Sequence, residues 1–213
     1  MKKSLLTLAA LALSQNLHAD VLKLDPGTAV IENITISKGA TATIEGRQTA
    51  LTTVGAGLRR KKVAIIWAKV YVAQFLVADA SKFDRAHAWE SLDRESAVAI
   101  RLDFLRYVDA QKVQTSFNEA LVANKVDLNG TDIKAFLEAV SGGGDAETGK
   151  ALTIVGERLA DGSEVITYEN TKGQAKILHG KAGFVKNVFS IWLGLVSSDD
   201  PGLQDLQKEL LSG

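Results

Sequence analysis

The sequence predicts an α+β fold: one domain with a large, mainly antiparallel sheet and a layer of helices over it. Two observations point there. Short β-rich segments separated by glycine and asparagine turns fill the N-terminal part and recur over residues 152–178, while the stretches between and after them carry helical periodicity. No repeat, low-complexity tract or linker breaks this order, so the core is single.

Residues 1–19 stand outside that domain. Met1-Lys2-Lys3 is a short cationic start, Leu5 to Leu13 is apolar except for Thr7, and Leu17-His18-Ala19 ends in the small residue that signal peptidase requires. The expectation is a signal peptide cleaved after Ala19, leaving residues 20–213 as the mature domain in the periplasm or outside the cell. The apolar stretch is too short to span a bilayer of about 30 Å as a helix, and no cysteine follows it to carry a lipid, so no membrane anchor is indicated.

In the domain itself, Val30 to Ser37 and Ala40 to Val54 read as hairpin strands, punctuated by Asp25-Pro26-Gly27, Lys38-Gly39 and a turn at Gly55-Ala56-Gly57. Val63 to Val77 is rich in β-branched and aromatic residues on both alternating faces and reads as one long central strand. Residues 79–95 look like a surface helix. Val98, Ile100, Leu102 and Phe104 then alternate with polar neighbours as in a half-buried strand.

Asp109 is placed to cap a helix through Ala123 whose apolar stripe is Val113, Phe117, Ala120 and Leu121. Asn129-Gly130 turns the chain, and Thr131 begins a helix to Val140. After a loop over residues 141–150, Leu152–Leu159, Glu164–Tyr168 and Gln174–Leu178 form an antiparallel meander joined by Asp161-Gly162 and Asn170-Thr171-Lys172-Gly173. Phe184, Val188, Ile191, Trp192 and Leu195 mark a helix that stops near Gly194. Asp200-Pro201 then opens the last helix, with Leu203, Leu206 and Leu210 inward.

Composition closes several classes of chemistry. Lysine plus arginine equals aspartate plus glutamate at 25 each, so no overall field draws the chain to nucleic acid or an anionic membrane. Without cysteine there is no disulfide, thiol nucleophile or metal–thiolate site. Gly144 to Lys150 imitates half of a phosphate-binding loop, but Ala151 stands where a hydroxyl is needed, and a helix rather than a strand precedes it. Gly55-Ala-Gly57 lacks the third glycine of a dinucleotide site, and His87 and His179 share no metal-ligand spacing. No Gly-x-Ser-x-Gly elbow is present, and no cofactor motif survives.

The densest positive charge is Arg59-Arg60-Lys61-Lys62, between the glycine pair and the most apolar strand. Strand alternation turns one arginine inward and its neighbour to water. A guanidinium at the end of an apolar pocket suits a carboxylate or phenolate, which it grips with two parallel hydrogen bonds. Trp67, Lys69, Tyr71 and Phe75 alternate along one face of the long strand, which is either a core stripe with Lys69 reaching to the edge or one wall of a cleft.

Five segments in this order carry a resemblance: Ile31-Glu-Asn-Ile34; Leu51 to Arg59, ending Gly-Ala-Gly-Leu-Arg; Lys69-Val-Tyr-Val-Ala73; Ile100-Arg-Leu-Asp-Phe-Leu-Arg106; and Phe189-Ser-Ile-Trp-Leu-Gly194 followed by Asp200-Pro-Gly-Leu203. They resemble the chalcone isomerase family, in particular its exported bacterial chalcone-isomerase-like branch, over nearly the whole domain. The resemblance implies an open-faced β-sandwich with an apolar cleft between sheet and helices. It places Arg59 in that cleft, where plant enzymes of the family stabilise an oxyanion and fatty-acid-binding members hold an acyl carboxylate.

The rest of the family's enzymatic set is missing. The segment matching its tyrosine, around Asn124 to Asn129, has none; its strand threonine falls near Ile66; its helix threonine falls at Ile191, with Ser190 the nearest hydroxyl. The resulting expectation is a non-catalytic protein holding a hydrophobic anion such as a fatty acid or a flavonoid-like molecule, with Arg59, Lys69, Tyr71, Trp67 and Ser190 at the site and no nucleic-acid partner. Chalcone isomerisation and a ligand-free interaction module, with Arg59 a structural ion-pair partner, are the alternatives.

Overall fold

A computed structural model describes residues 20–194 and 200–212; the expected signal peptide over residues 1–19 lies outside them. Eight strands run in chain order through one antiparallel sheet: β1 Leu22–Ile31, β2 Ile34–Ile44, β3 Arg47–Val63, β4 Ile66–Val77, β5 Ala97–Phe104, β6 Ala151–Arg158, β7 Glu164–Glu169 and β8 Ala175–Gly180. Among the described residues five helices accompany them: α1 Ala88–Ser91, α2 Ala110–Ala123, α3 Thr131–Gly142, α4 Phe184–Leu193 and α5 Pro201–Leu211.

The first strands differ from the expectation in where they turn. Ile31 pairs with Ile34 and Ile44 with Arg47, so Glu32-Asn33 and Glu45-Gly46 are two-residue turns, built by positive φ angles of 49° and 66° in one and 48° and 78° in the other. The stretches Val30–Ser37 and Ala40–Val54 therefore each straddle a turn. Val63 to Val77 is likewise divided: Val63 pairs with Ile66 across Ala64-Ile65, where Ala64 takes φ 54°. Gly55-Ala56-Gly57 is no turn but the middle of β3. Residues 79–95 yield only two 3₁₀ turns and the single-turn α1.

The remaining elements follow the sequence signals closely. Asp109 accepts from the Lys112 amide at 2.9 Å and caps α2, whose buried residues are Val113, Phe117, Ala120 and Leu121. Asp200 accepts from the Leu203 amide at 3.1 Å and caps α5, with Pro201 in the first turn where its missing N–H costs nothing.

The sheet buries both faces. Helices α2, α3 and α4 cover one, where Phe75, Phe104 and Ile154 meet Phe117, Phe136, Phe189 and Trp192. Trp192 stands edge-on to Phe117 at 5.5 Å, and Phe117 stacks on Phe136 at 6.2 Å, so aromatic packing fills this layer. On the other face Leu22, Ala42, Ile44 and Leu51 pack against Ala99, Val155 and Val165, because the first hairpins curl back over β5–β7. Arg47 and Thr49 bond Glu157 at 3.0 and 3.2 Å and fasten that curl. Helix α5 lies mainly on β3, with Gln207 donating to the Gly194 carbonyl at the end of α4 at 2.8 Å, and the β3 contact builds the site.

Candidate functional site: the Arg59 anion seat

Two glycines on one element and one on the other let α5 lie against β3 at backbone distance. A Cβ on Gly55 would stand 2.3 Å from the Leu210 carbonyl oxygen, one on Gly57 2.6 Å from the Glu209 Cβ, and one on Gly202 1.9 Å from the Arg60 carbonyl oxygen. Any larger residue at these points would push the helix away. The Glu209 carboxylate accepts from the Leu58 amide at 2.6 Å, a second tie between the two elements.

Arg59 lies beneath the start of α5. Its side chain is only 8% exposed, against 28% for Asp200, and its guanidinium grips that carboxylate with two bonds, Nη1 to Oδ1 at 2.9 Å and Nη2 to Oδ2 at 2.5 Å. Nη1 also donates to the Arg60 carbonyl. Asp200 thus serves both as cap of α5 and as counter-ion of Arg59. Charge-assisted bidentate bonds of this kind are about twice as strong as neutral ones.

Tyr71 is the cross-strand partner of Arg59. Its ring stands edge-on to Phe104 at 5.5 Å, and its hydroxyl accepts from the Trp192 indole N–H at 3.2 Å. Burial raises the Tyr71 pKa above the ordinary phenol value, although the neighbouring Arg59 guanidinium pulls the other way. The phenol therefore keeps its proton at neutral pH and has one to donate. Arg59, Asp200, Tyr71 and Trp192 form one polar group at the rim of the aromatic layer.

Lys69 and Trp67 belong elsewhere, contrary to the shared stripe the spacing suggests. A β-bulge leaves Val70 without a partner, since Arg59 pairs with Tyr71 and Arg60 with Lys69. Consecutive residues Arg59 and Arg60 face opposite ways, so Lys69 is carried to the side opposite Tyr71. Its Nζ meets the Glu32 carboxylate at 2.7 Å. Trp67, 44% exposed, joins Arg60, Lys69 and Asp205 around a surface depression of about 430 Å³.

Ser190 is buried in α4, and its hydroxyl donates to the Asn187 carbonyl at 2.6 Å within its own helix. Asn124, where the family tyrosine is absent, donates to the Ala120 and Ser190 carbonyls at 2.7 and 3.1 Å and so joins α2 to α4. Ile66 is 68% exposed at the far end of the β3–β4 hairpin, whereas Ile191 is buried.

The residues that sequence reasoning missed are Asp200 as the partner of Arg59 and Glu209 as the clasp on β3. Asp200-Pro201 carried a capping signal, but nothing local tells that its carboxylate also serves an arginine 141 positions away. Among the described residues no cluster of three histidine, aspartate or glutamate side chains could hold a metal, and no helix is long and apolar enough to cross a membrane.

The seat binds one carboxylate through two guanidinium N–H groups, with a protonated phenol beside it.

Comparison with known proteins agrees with this architecture. No curated protein sequence matches the chain. Among solved structures, a fatty-acid binding protein of Arabidopsis thaliana superposes with a TM-score of 0.50 at 12% identity, over 80% of this chain and 95% of that one; it is alike in fold. A sequence model of the chalcone isomerase-like family matches residues 30–212. That span takes in every strand from the end of β1 and all five helices, and the chain belongs to the chalcone isomerase-like family.

Proposed function

We propose that this protein is an exported, non-catalytic binder of a hydrophobic anion, with a fatty acid as its ligand class. The observation that carries the reading is the buried Arg59 guanidinium already holding a carboxylate, that of Asp200, in bidentate geometry. A ligand carboxylate takes the same place by exchange, so the arginine is never left unpaired. The acyl chain follows the apolar face that Leu206 and Leu210 of α5 now cover beside β3. Burial of that chain supplies most of the affinity, at about 0.8 kcal/mol per CH₂. Further support comes from the family and from a structural neighbour named as a fatty-acid binding protein. Export rests on the cationic, apolar and small-residue order of residues 1–19, and sequencing the N terminus of protein taken from its host, with Asp20 first, tests it.

Calorimetric titration with palmitate tests the binding. Arg59→Ala should lose tenfold to a hundredfold in affinity, the size of a charge-assisted hydrogen bond. Arg59→Lys should recover only part of that loss, because an ammonium keeps the charge without the planar fork. Asp200→Asn should bind more tightly than the parent, because the competing internal anion is gone. A second reading, a ligand-free interaction domain, is favoured by the aromatic packing that fills the helix-covered layer. Absence of palmitate binding by both the parent and Asp200→Asn would decide for it.

A further inference from the structure

The β3–β4 hairpin ends in five residues, Val63-Ala-Ile-Ile-Trp67, without a polar side chain. Val63, Ile65, Ile66 and Trp67 are 60%, 90%, 68% and 44% exposed, a run of apolar surface in water. The cross-strand pairs behind the tip are cationic. Lys62 faces Trp67, Lys61 faces Ala68 and Arg60 faces Lys69. Of these four cations only Lys69 has an ion-pair partner among the described residues, Glu32; Asp205 lines the same depression as Arg60 and Lys69. The molecule balances its charge overall yet gathers positive charge behind this one tip.

The turn itself sets this hairpin apart. The two preceding hairpins turn on Glu32-Asn33 and Glu45-Gly46, polar pairs in which glutamate takes the first positive φ, 49° and 48°, and asparagine or glycine the second, 66° and 78°. This one turns on Ala64-Ile65 with alanine at φ 54°, a conformation that favours glycine or asparagine. What differs is the side chains: both residues of this turn are apolar, where the other two turns carry glutamate with asparagine or glycine.

We propose that the β3–β4 tip docks the protein on an anionic lipid bilayer, with Val63–Trp67 inserted and Arg60, Lys61 and Lys62 at the headgroups. The dimensions fit. At about 3.3 Å per residue the apex pair Ala64-Ile65 stands about 7 Å beyond Lys62, within the roughly 5–10 Å to which interfacial apolar groups sink. Trp67 falls at the boundary, where indole is favoured. A soluble acidic partner fits less well, because a stable protein interface engages roughly 20–30 residues a side and a convex tip of five offers far fewer.

Vesicle partitioning tests this with the full chain, parent and variants sharing one N terminus so that residues 1–19 contribute equally. Vesicles of phosphatidylcholine alone are compared with vesicles containing phosphatidylglycerol. Binding should be at least tenfold tighter to the anionic vesicles and weaken with salt. Lys61→Gln with Lys62→Gln should lower it about thirtyfold, at about 1 kcal/mol per charge. Ile65→Ser should lower it on both kinds of vesicle. Brominated acyl chains should quench parent fluorescence, and Trp67→Phe should remove that quenching. All these positions are exposed, so an unchanged circular dichroism spectrum checks that the variants fold. Vesicle binding with no quenching of Trp67 would overturn the proposal, as would binding indifferent to the hairpin substitutions. So would a tip that stays open to aqueous acrylamide while the lysine pair governs capture of an acidic protein.

Discussion

Arg59 and Asp200 meet guanidinium to carboxylate across 141 positions of sequence, and the pair fastens the last helix to the third strand. The two partners are unequally buried, at 8% and 28% side-chain exposure, so their removal has unequal consequences. Asp200→Ala strands a buried guanidinium and uncaps α5, and should cost about 3 to 4 kcal/mol in urea unfolding. Arg59→Met leaves a carboxylate that can reach water and should cost about 1 to 2 kcal/mol. The double variant should lose about 1 to 2 kcal/mol less than the two single losses together. Strict additivity would show that the bidentate contact contributes nothing to stability.

The approach of α5 to β3 gives a steric prediction. Gly55→Ala sets a methyl group 2.3 Å from the Leu210 carbonyl oxygen, a backbone atom that cannot swing aside. The helix must lift, so the variant should lose at least about 2 kcal/mol, within the range of overpacked cores, and amides of residues 201–211 should exchange faster with solvent. Gly142→Ala is the control. Its Cβ would meet only the flexible Lys176 Nζ at 3.5 Å near the end of α3, and it should stabilise by about 0.5 to 1 kcal/mol. Equal effects at the two glycines would refute the close approach.

These contacts mark where sequence reading stopped. Capping aspartates, apolar stripes and the meander β6–β8 could be read because each signal is local and uses its usual residues. The N-terminal hairpins could not, since Glu32-Asn33 has no glycine and Ala64-Ile65 has no turn-forming residue, so the chain looked continuous through both. Gly55 and Gly57 looked like a turn because a glycine needed for close packing has the same letter as one needed for positive φ. Alternation placed Arg59 and Arg60 on opposite sides, but the bulge at Val70 cannot be seen in the sequence, and it moved Lys69 and Trp67 away from Tyr71.

Glu169 supplies a pH dependence. It is largely buried, and burial raises its pKa above the ordinary glutamate value, only partly offset by its bond from the Val21 amide at 3.4 Å. The folded protein therefore holds this proton more tightly than the unfolded chain does. The resulting stabilisation is fully present below the unfolded value of about 4.3 and is lost as pH rises through the higher folded value. Glu169→Gln should accordingly be more stable than the parent at pH 7, with the difference disappearing near pH 3. Urea midpoints at a series of pH values measure this. A difference that does not change with pH would remove Glu169 as its source.

Chalcone ring closure is the last test, and the ion pair decides its expected outcome. The reaction builds negative charge on an enolate oxygen only as the transition state forms, and each preorganised donor there contributes about 3 kcal/mol. Before that moment the substrate offers a neutral carbonyl and a neutral 2′-hydroxyl, poor competitors for a guanidinium that already holds the full charge of the Asp200 carboxylate. The other family donors are gone: Ile66 lies exposed at the hairpin end, Asn124 spends its amide on the Ala120 and Ser190 carbonyls, and the Ser190 hydroxyl bonds Asn187. Tyr71 keeps its proton but sits beside a seat that is already filled. The absorbance of a 2′-hydroxychalcone should therefore decay at the spontaneous rate with the parent, Arg59→Ala and Asp200→Asn alike. Turnover by the parent that Arg59→Ala abolishes would show that the seat opens to a neutral substrate and that the protein is an isomerase.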